Sequence, residues 1–293
     1  MVKKISRSFK YVYLALMILF LYIPILYLIV FSFNNFSTGS GKRISYANLG
    51  LWKGFTLHNY TTLFTGEEGQ ALLLTLEVAG ITSVLATLIG TAAAIGIYSM
   101  KKRSRNLILN ASQLPMVNPD LVTGITFMML FAFVNTLLVR LSLKQVGDIT
   151  KLLIAHISFS IPYVIFSVMP RLRQSSDLLY EAAMDLGCSP MQALFKAVIP
   201  DIMPGITSGF VMALTMSLDD FVVSYFVSDL RSVLSVYIYS AARGAKGVNP
   251  ALATVIFIPL VTLLLVVNLR RIAKEREYEI QNRKVKLKDK GGK

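Results

Sequence analysis

The chain has one cysteine, one tryptophan and two histidines in 293 residues. A single thiol, Cys188, excludes an internal disulfide and a cysteine-rich metal site. There is no HExxH and no GxSxG, and His58 and His156 are 98 positions apart. A membrane-embedded protease or transferase would need a paired nucleophile and base, or a metal cluster, and this sequence supplies neither. The string GSGK at 39–42 is not a P-loop. A P-loop has Gly five residues before its last Gly and Ser or Thr after its Lys, and here Phe36 and Arg43 stand in those places. The chain therefore carries no nucleotide-binding motif of its own. No cofactor is expected on this chain. Charge is scarce too: 16% of residues are charged, where a soluble domain has about a quarter.

What the chain has in abundance is apolar length. Hydrophobic residues make up 54% of it, and its mean hydropathy is +0.60. Apolar runs at 11–33, 71–100, about 107–134, about 151–169, about 205–228 and about 251–269 are each long enough to cross a bilayer. The first run follows a basic start but is too long for a signal peptide and has no small-residue cleavage site after it. The fold class is thus an all-α polytopic membrane protein with six transmembrane helices. Small residues recur every four positions at Ala86, Gly90 and Ala94, and at Gly205, Gly209, Ala213 and Ser217. Such stripes let neighbouring helices approach closely.

The net charge of +14 could suggest a nucleic-acid partner, but its distribution points to topology instead. With both termini in the cytoplasm, the inner segments hold 21 Lys/Arg and the outer segments 9. This is the positive-inside bias, and the basic excess faces anionic lipid. The organisation expected is a cytoplasmic N-terminus at 1–10, a transmembrane domain at 11–269 and a basic cytoplasmic tail at 270–293.

The inner loop at about 170–204 carries the most specific pattern. Ser176 or Asp177 can cap a first short helix, and Gly187 can end it. Ser189-Pro190 can start a second, with Pro200 and Pro204 stopping it. The residues Glu181-Ala182-Ala183, then Gly187, then nine residues to Ala197, then Ile199-Pro200 resemble the EAA loop of ABC importer permeases. Ala197 and Ile199 depart from the usual Ile and Leu of that pattern. The resemblance implies the type I ABC importer permease fold, with a cytoplasmic EAA coupling loop docking in a cleft of an ATPase. Glu181, Ala182, Ala183, Gly187 and Pro200 are the coupling residues it implies.

Carboxylates inside apolar spans are expensive and face a cavity, a partner or the interface. Glu77 lies toward the outer end of the second span. Asp120 follows Pro115, Asn118 and Pro119, where two prolines should break the helix. Asp219 and Asp220 sit together in SLDDF, about 21 Å along the fifth span at 1.5 Å per residue. Adjacent positions diverge by about 100°, so Asp220, three after Ser217, is the better placed along the small stripe. His156 in the fourth span reads first as a packed, hydrogen-bonded residue. The segments SLDDFVVSYF, PMVNPDLVTGI and AHISFSIPYVI resemble the spermidine/putrescine branch of these importers. The resemblance implies uptake of a polyamine through half of a path shared with a second, related permease. It also implies two cytoplasmic ATPase subunits that hold ATP with its Mg²⁺, an extracytoplasmic binding protein and a bacterial inner-membrane location. Asp219, Asp220, Phe221, Tyr225, Asp120 and Glu77 are the path candidates, because carboxylates and aromatic faces hold ammonium groups. The alternative for these acids is that they cap broken helices or pair with Arg or Lys of the partner permease. The alternative solutes are an amino-alkyl phosphonate, a thiamine-like cation or a ferric complex. A channel would leave the EAA loop without a purpose.

Overall fold

The structure is a computed structural model that describes residues 7–35, 52–118, 120–174, 177–228, 233–243, 248–259 and 261–262. The chain divides into two compact units, one of residues 1–66 with 245–293, the other of residues 67–244. Among the described residues, five helical stretches are long and apolar enough to cross a membrane. Residues 251–259 and 261–262 are helical, but the other positions of the sixth expected span and the basic tail lie outside the described residues.

In the first unit, α1 (Arg7–Phe31) keeps Pro24 within a continuous helix. Its end is tied to a loop and to α2 (His58–Thr65). The Asn59 side chain donates to the carbonyls of Ser32 and Asn34. Asn249 donates to the carbonyl of Asn59, and Thr254 to the hydroxyl of Ser32.

The second unit is built on three long helices: α3 (Glu67–Tyr98), α6 (Asp148–Gln174) and α9 (Ile199–Asp219). Both small-residue stripes are buried in it. Val164 of α6, itself 0% exposed, is the knob they close on. A Cβ added to Gly90 would come within 2.7 Å of Val164 Cβ, and one added to Gly209 within 3.1 Å of Val164 Cγ1. Glycine at these positions lets α3 and α9 reach the same branched side chain from different sides. Dispersion contacts at such short range replace the hydrophobic drive that lipid cannot supply.

The break expected in the third span is present: α4 (Lys102–Val117) and α5 (Asp120–Arg140) are separated at Asn118, which is extended with φ −64° and ψ 138°. Asn118 precedes Pro119, and a proline pushes the residue before it out of the helical region. Pro115, by contrast, lies inside α4. Pro200 and Pro204 do not stop a helix either. The chain runs as one helical path from Pro190 to Asp219, through α8 (Pro190–Ala193), a π turn at Leu194–Val198 and then α9. A proline clashes with the carbonyl four residues back, here Lys196. The wider π turn lies over that carbonyl, with the Ile199 amide donating to Leu194 five residues back. Finally, the fifth span ends at Asp219 rather than near 228. A break at Asp220 and Phe221 separates it from α10 (Val222–Val227), followed by α11 (Leu234–Arg243).

Candidate functional site

Two regions of the second unit gather the sequence-predicted residues. The first is the loop at about 170–204. Glu181, Ala182 and Ala183 lie on α7 (Asp177–Asp185). Gly187 ends it with φ +87°, where a Cβ is strained and glycine is not. Its N–H donates to Met184 O at 2.9 Å, and that of Cys188 to Ala183 O at 3.1 Å. This pair of bonds is a Schellman closure. Ser189 then caps α8, with its side chain and that of Gln192 bonding reciprocally to each other's backbone N–H. Ser176 lies outside the described residues. The loop is therefore stiff, yet its apolar tips are open to solvent: Leu186 is 87% exposed, Met191 63% and Phe195 58%. Glu181 is exposed and lines a cavity of about 640 Å³ together with Tyr98, Arg105, Tyr180 and Met191. Pro200 opens α9 directly behind it.

The second region is the break after α9. His156 of α6 is 1% exposed. Its Nδ1 lies 2.7 Å from Ser217 Oγ, and its Nε2 3.0 Å from Ser224 Oγ and 3.5 Å from Asp220 Oδ2. Asp220 is occupied on both oxygens. It accepts from the Val223 amide at 3.2 Å and the Ser224 amide at 2.8 Å, two of the free donors that open α10. Its own carbonyl accepts from the Ser235 hydroxyl. Asp219, one position earlier, is exposed.

Beside this knot lies an aromatic group. Phe221 has its ring centroid 5.7 Å from Tyr225 and 4.9 Å from Tyr239, and Tyr225 lies 5.7 Å from Tyr239. The Arg243 guanidinium sits 5.4 Å over the Tyr239 ring. Tyr225 and Tyr239 remain exposed. α11 is fixed to α3 by the Leu234 amide donating to Thr75 Oγ1 at 2.8 Å. Burial, and after it the carboxylates of Glu68 and Glu67, push the Tyr237 phenol above its ordinary pKa. No group of three or more His, Cys, Asp or Glu that could hold a metal ion occurs among the described residues.

Residues 86–276 match the family described as binding-protein-dependent transport system inner membrane component. The chain belongs to this family. Among individual relatives, it is 32% identical over 277 residues to the spermidine/putrescine transport system permease protein PotC of Escherichia coli K12, covering 93% of this chain and 96% of that one. It is 31% identical to the putrescine transport system permease protein PotI of the same organism, with 94% and 96% covered. A PotC homolog of Mycoplasma genitalium is 25% identical over 96% of this chain. The chain is an ABC importer permease, a membrane subunit that is not itself an enzyme.

Within this permease, Asp219, Asp220, Phe221 and Tyr225 come together around one helix break. Asp120 and Glu77 are not part of that group. Asp120 is the exposed first residue of α5, and Glu77 is exposed on the side of α3. Sequence reasoning did not find Tyr239, Arg243 or the serine partners of His156. The signal for Tyr239 and Arg243 was the i, i+4 spacing of an aromatic and a cation on one helix face. The His156 contacts span 61 and 68 residues, which no local pattern reveals.

Proposed function

We propose that this chain forms half of the translocation path of an ATP-driven importer of spermidine or putrescine in a bacterial inner membrane, with both termini cytoplasmic. The second half comes from a related permease, energy from two cytoplasmic ATPase subunits, and substrate from an extracytoplasmic binding protein. The observation that carries the reading is the near full-length likeness to spermidine/putrescine permeases.

The inner loop supports the coupling role. Glu181, Ala182, Ala183, Gly187 and Pro200 belong to a stiff helix–turn–helix that offers exposed apolar tips and a cavity holding both an acid and an arginine. That is the chemistry of a protein dock, with an aromatic or aliphatic anchor going into a pocket. The helix break supports the substrate class. Asp219 is an exposed carboxylate two positions before Phe221, whose ring meets those of Tyr225 and Tyr239, and a polyammonium chain gains about 0.5–2 kcal/mol per aromatic face it covers. Asp220 positions this group by holding α10 to α9 and does not itself meet the substrate. Asp120 and Glu77 serve as secondary attractants along the route, and Glu67 and Glu68 add negative potential where α3 begins.

A second reading rests on Arg243. Its cation over Tyr239 would suit the phosphonate of an amino-alkyl phosphonate. ATP-dependent uptake of labelled spermidine into proteoliposomes containing the complete transporter decides between them. Saturable uptake competed by putrescine supports the polyamine. ATPase activity that responds to a phosphonate-loaded binding protein, with no spermidine uptake, replaces it.

A further inference from the structure

The only tryptophan of the chain sits on a loop whose height is fixed by the end of a membrane helix. The apolar span in α1 runs from Lys10 to Phe31, 22 residues, or about 33 Å at 1.5 Å per residue. That is about one hydrocarbon thickness, so Ser32 to Asn35 come to the headgroup level at the end opposite Lys10. The loop is fastened to those residues. The Asn35 amide donates to Gly54 O at 2.9 Å and the Thr56 amide to Phe33 O at 2.8 Å. The Lys53 amide donates to Asn34 Oδ1 at 2.8 Å. Asn34 and Phe55 form an antiparallel bridge, and the Phe33 and Phe55 rings stack at 5.4 Å with 7° between their planes. Gly54, at φ +125°, makes the turn that allows this. The loop cannot rise away from the bilayer without breaking these bonds.

On this fixed platform the apolar side chains face outward. Trp52 is 55% exposed, Phe55 69% and Leu57 56%. Exposed apolar surface continues along α1, up to Val30, three residues before Phe33. We propose that Trp52, Phe55 and Leu57 are an interfacial membrane anchor that inserts into the headgroup and upper acyl layer at this end of α1. An indole is apolar over its ring and keeps an N–H that needs a partner, so the interfacial layer satisfies both. Lys53, exposed between Trp52 and the turn, extends its apolar stem along the same surface and its ammonium toward lipid phosphate. The occupant is lipid because the platform is tied at the depth of the span's end and its apolar surface is continuous with that of the span.

The test uses the native indole. The assembled complex is placed in nanodiscs whose lipids are brominated either close to the headgroup or deep in the acyl chain. The emission difference between wild type and Trp52→Phe isolates Trp52. The expected result is a loss of that difference signal with shallow bromines, a smaller loss with deep ones, and little quenching by soluble iodide. A Phe55→Trp change on the Trp52→Phe background places a second probe on the platform and should behave alike. Quenching by iodide without quenching by brominated lipid at both positions overturns the anchor. Indifference to brominated lipid, with shielding from iodide only when the loaded extracytoplasmic binding protein is added, also overturns it and makes the patch a protein dock.

Discussion

The two ends of the helical path from Pro190 to Asp219 invert the usual expectation. At the entry, two prolines are present and the helix continues. At the exit there is no proline and the helix breaks. A proline costs a hydrogen bond and a clash, about 3 kcal/mol in a regular helix, but the π turn at Leu194–Val198 already lies over the carbonyl it would strike. At the exit a carboxylate does what no ring does. Asp220 takes up the amide protons of Val223 and Ser224 for itself, so a new turn begins there, and His156 fastens the result to α6. Whether a membrane helix stops depends on who satisfies the freed backbone groups, more than on which residue freed them.

The comparison breaks most visibly at the exit. Asp220→Ala leaves the Val223 and Ser224 amides without their side-chain acceptor, at about 1–3 kcal/mol for each unsatisfied group, and removes the carboxylate beside His156. Uptake in proteoliposomes should fall by at least about tenfold, the factor that 1.4 kcal/mol gives in an equilibrium constant, and the thermal midpoint of the purified complex should drop. His156→Leu comes next. It removes the link between α6 and the break while leaving the Asp220 cap on α10. A loss of uptake with a smaller fall in midpoint than Asp220→Ala is expected, and equal midpoints would mean that the cap, not the histidine, carries nothing.

At the entry the effects should be smaller and of another kind. Gly187→Ala forces a Cβ into the left-handed region at about 1–2 kcal/mol, with nothing within 4 Å to obstruct it sterically. Its expected signature is looser coupling: more ATP hydrolysed per spermidine carried, with the permease still assembled. Pro200→Ala sharpens the comparison further. If the π turn exists to accommodate the ring, the variant relaxes toward a regular helix and rotates α8 against α9. Stoichiometry should suffer and the midpoint should hold. The smallest effect belongs to Asp219→Asn. An exposed ion pair is worth about 0.2–1 kcal/mol, so the KM for spermidine should rise about two- to fivefold with kcat unchanged.

The features legible in the sequence were those that repeat or that close locally. Ala86, Gly90 and Ala94, and Gly205, Gly209, Ala213 and Ser217, declared a packing face by their spacing, and all of them are buried. Gly187 and the Ser189-Pro190 pair declared a turn by their own backbone chemistry, and the Schellman closure and capping box are there. The π turn left no trace, because its residues LFKAV differ in no way from those of an ordinary helix. The partners of His156 were hidden for another reason: Ser217 and Ser224 are two of many serines until the fold selects them. The rotation argument favoured Asp220 over Asp219 for the inward face. That argument assumed a helix through both residues, but α9 ends at Asp219 and Asp220 is extended, with φ −65° and ψ 127°, so its oxygens turn to the Val223 and Ser224 amides instead of following the stripe.

The uninterrupted run from Pro190 to Asp219 has a mechanical meaning. Thirty residues at 1.5 Å each make a strut about 45 Å long, with the proposed dock at one end and the broken, aromatic end at the other. Force applied at that dock would arrive at the far end along one backbone, without crossing a packed interface where it could dissipate as sliding. The softest section of that strut, the wide turn beneath Pro200, lies next to the hand that would push it. Bending is therefore confined to the input end, and the remainder transmits the stroke.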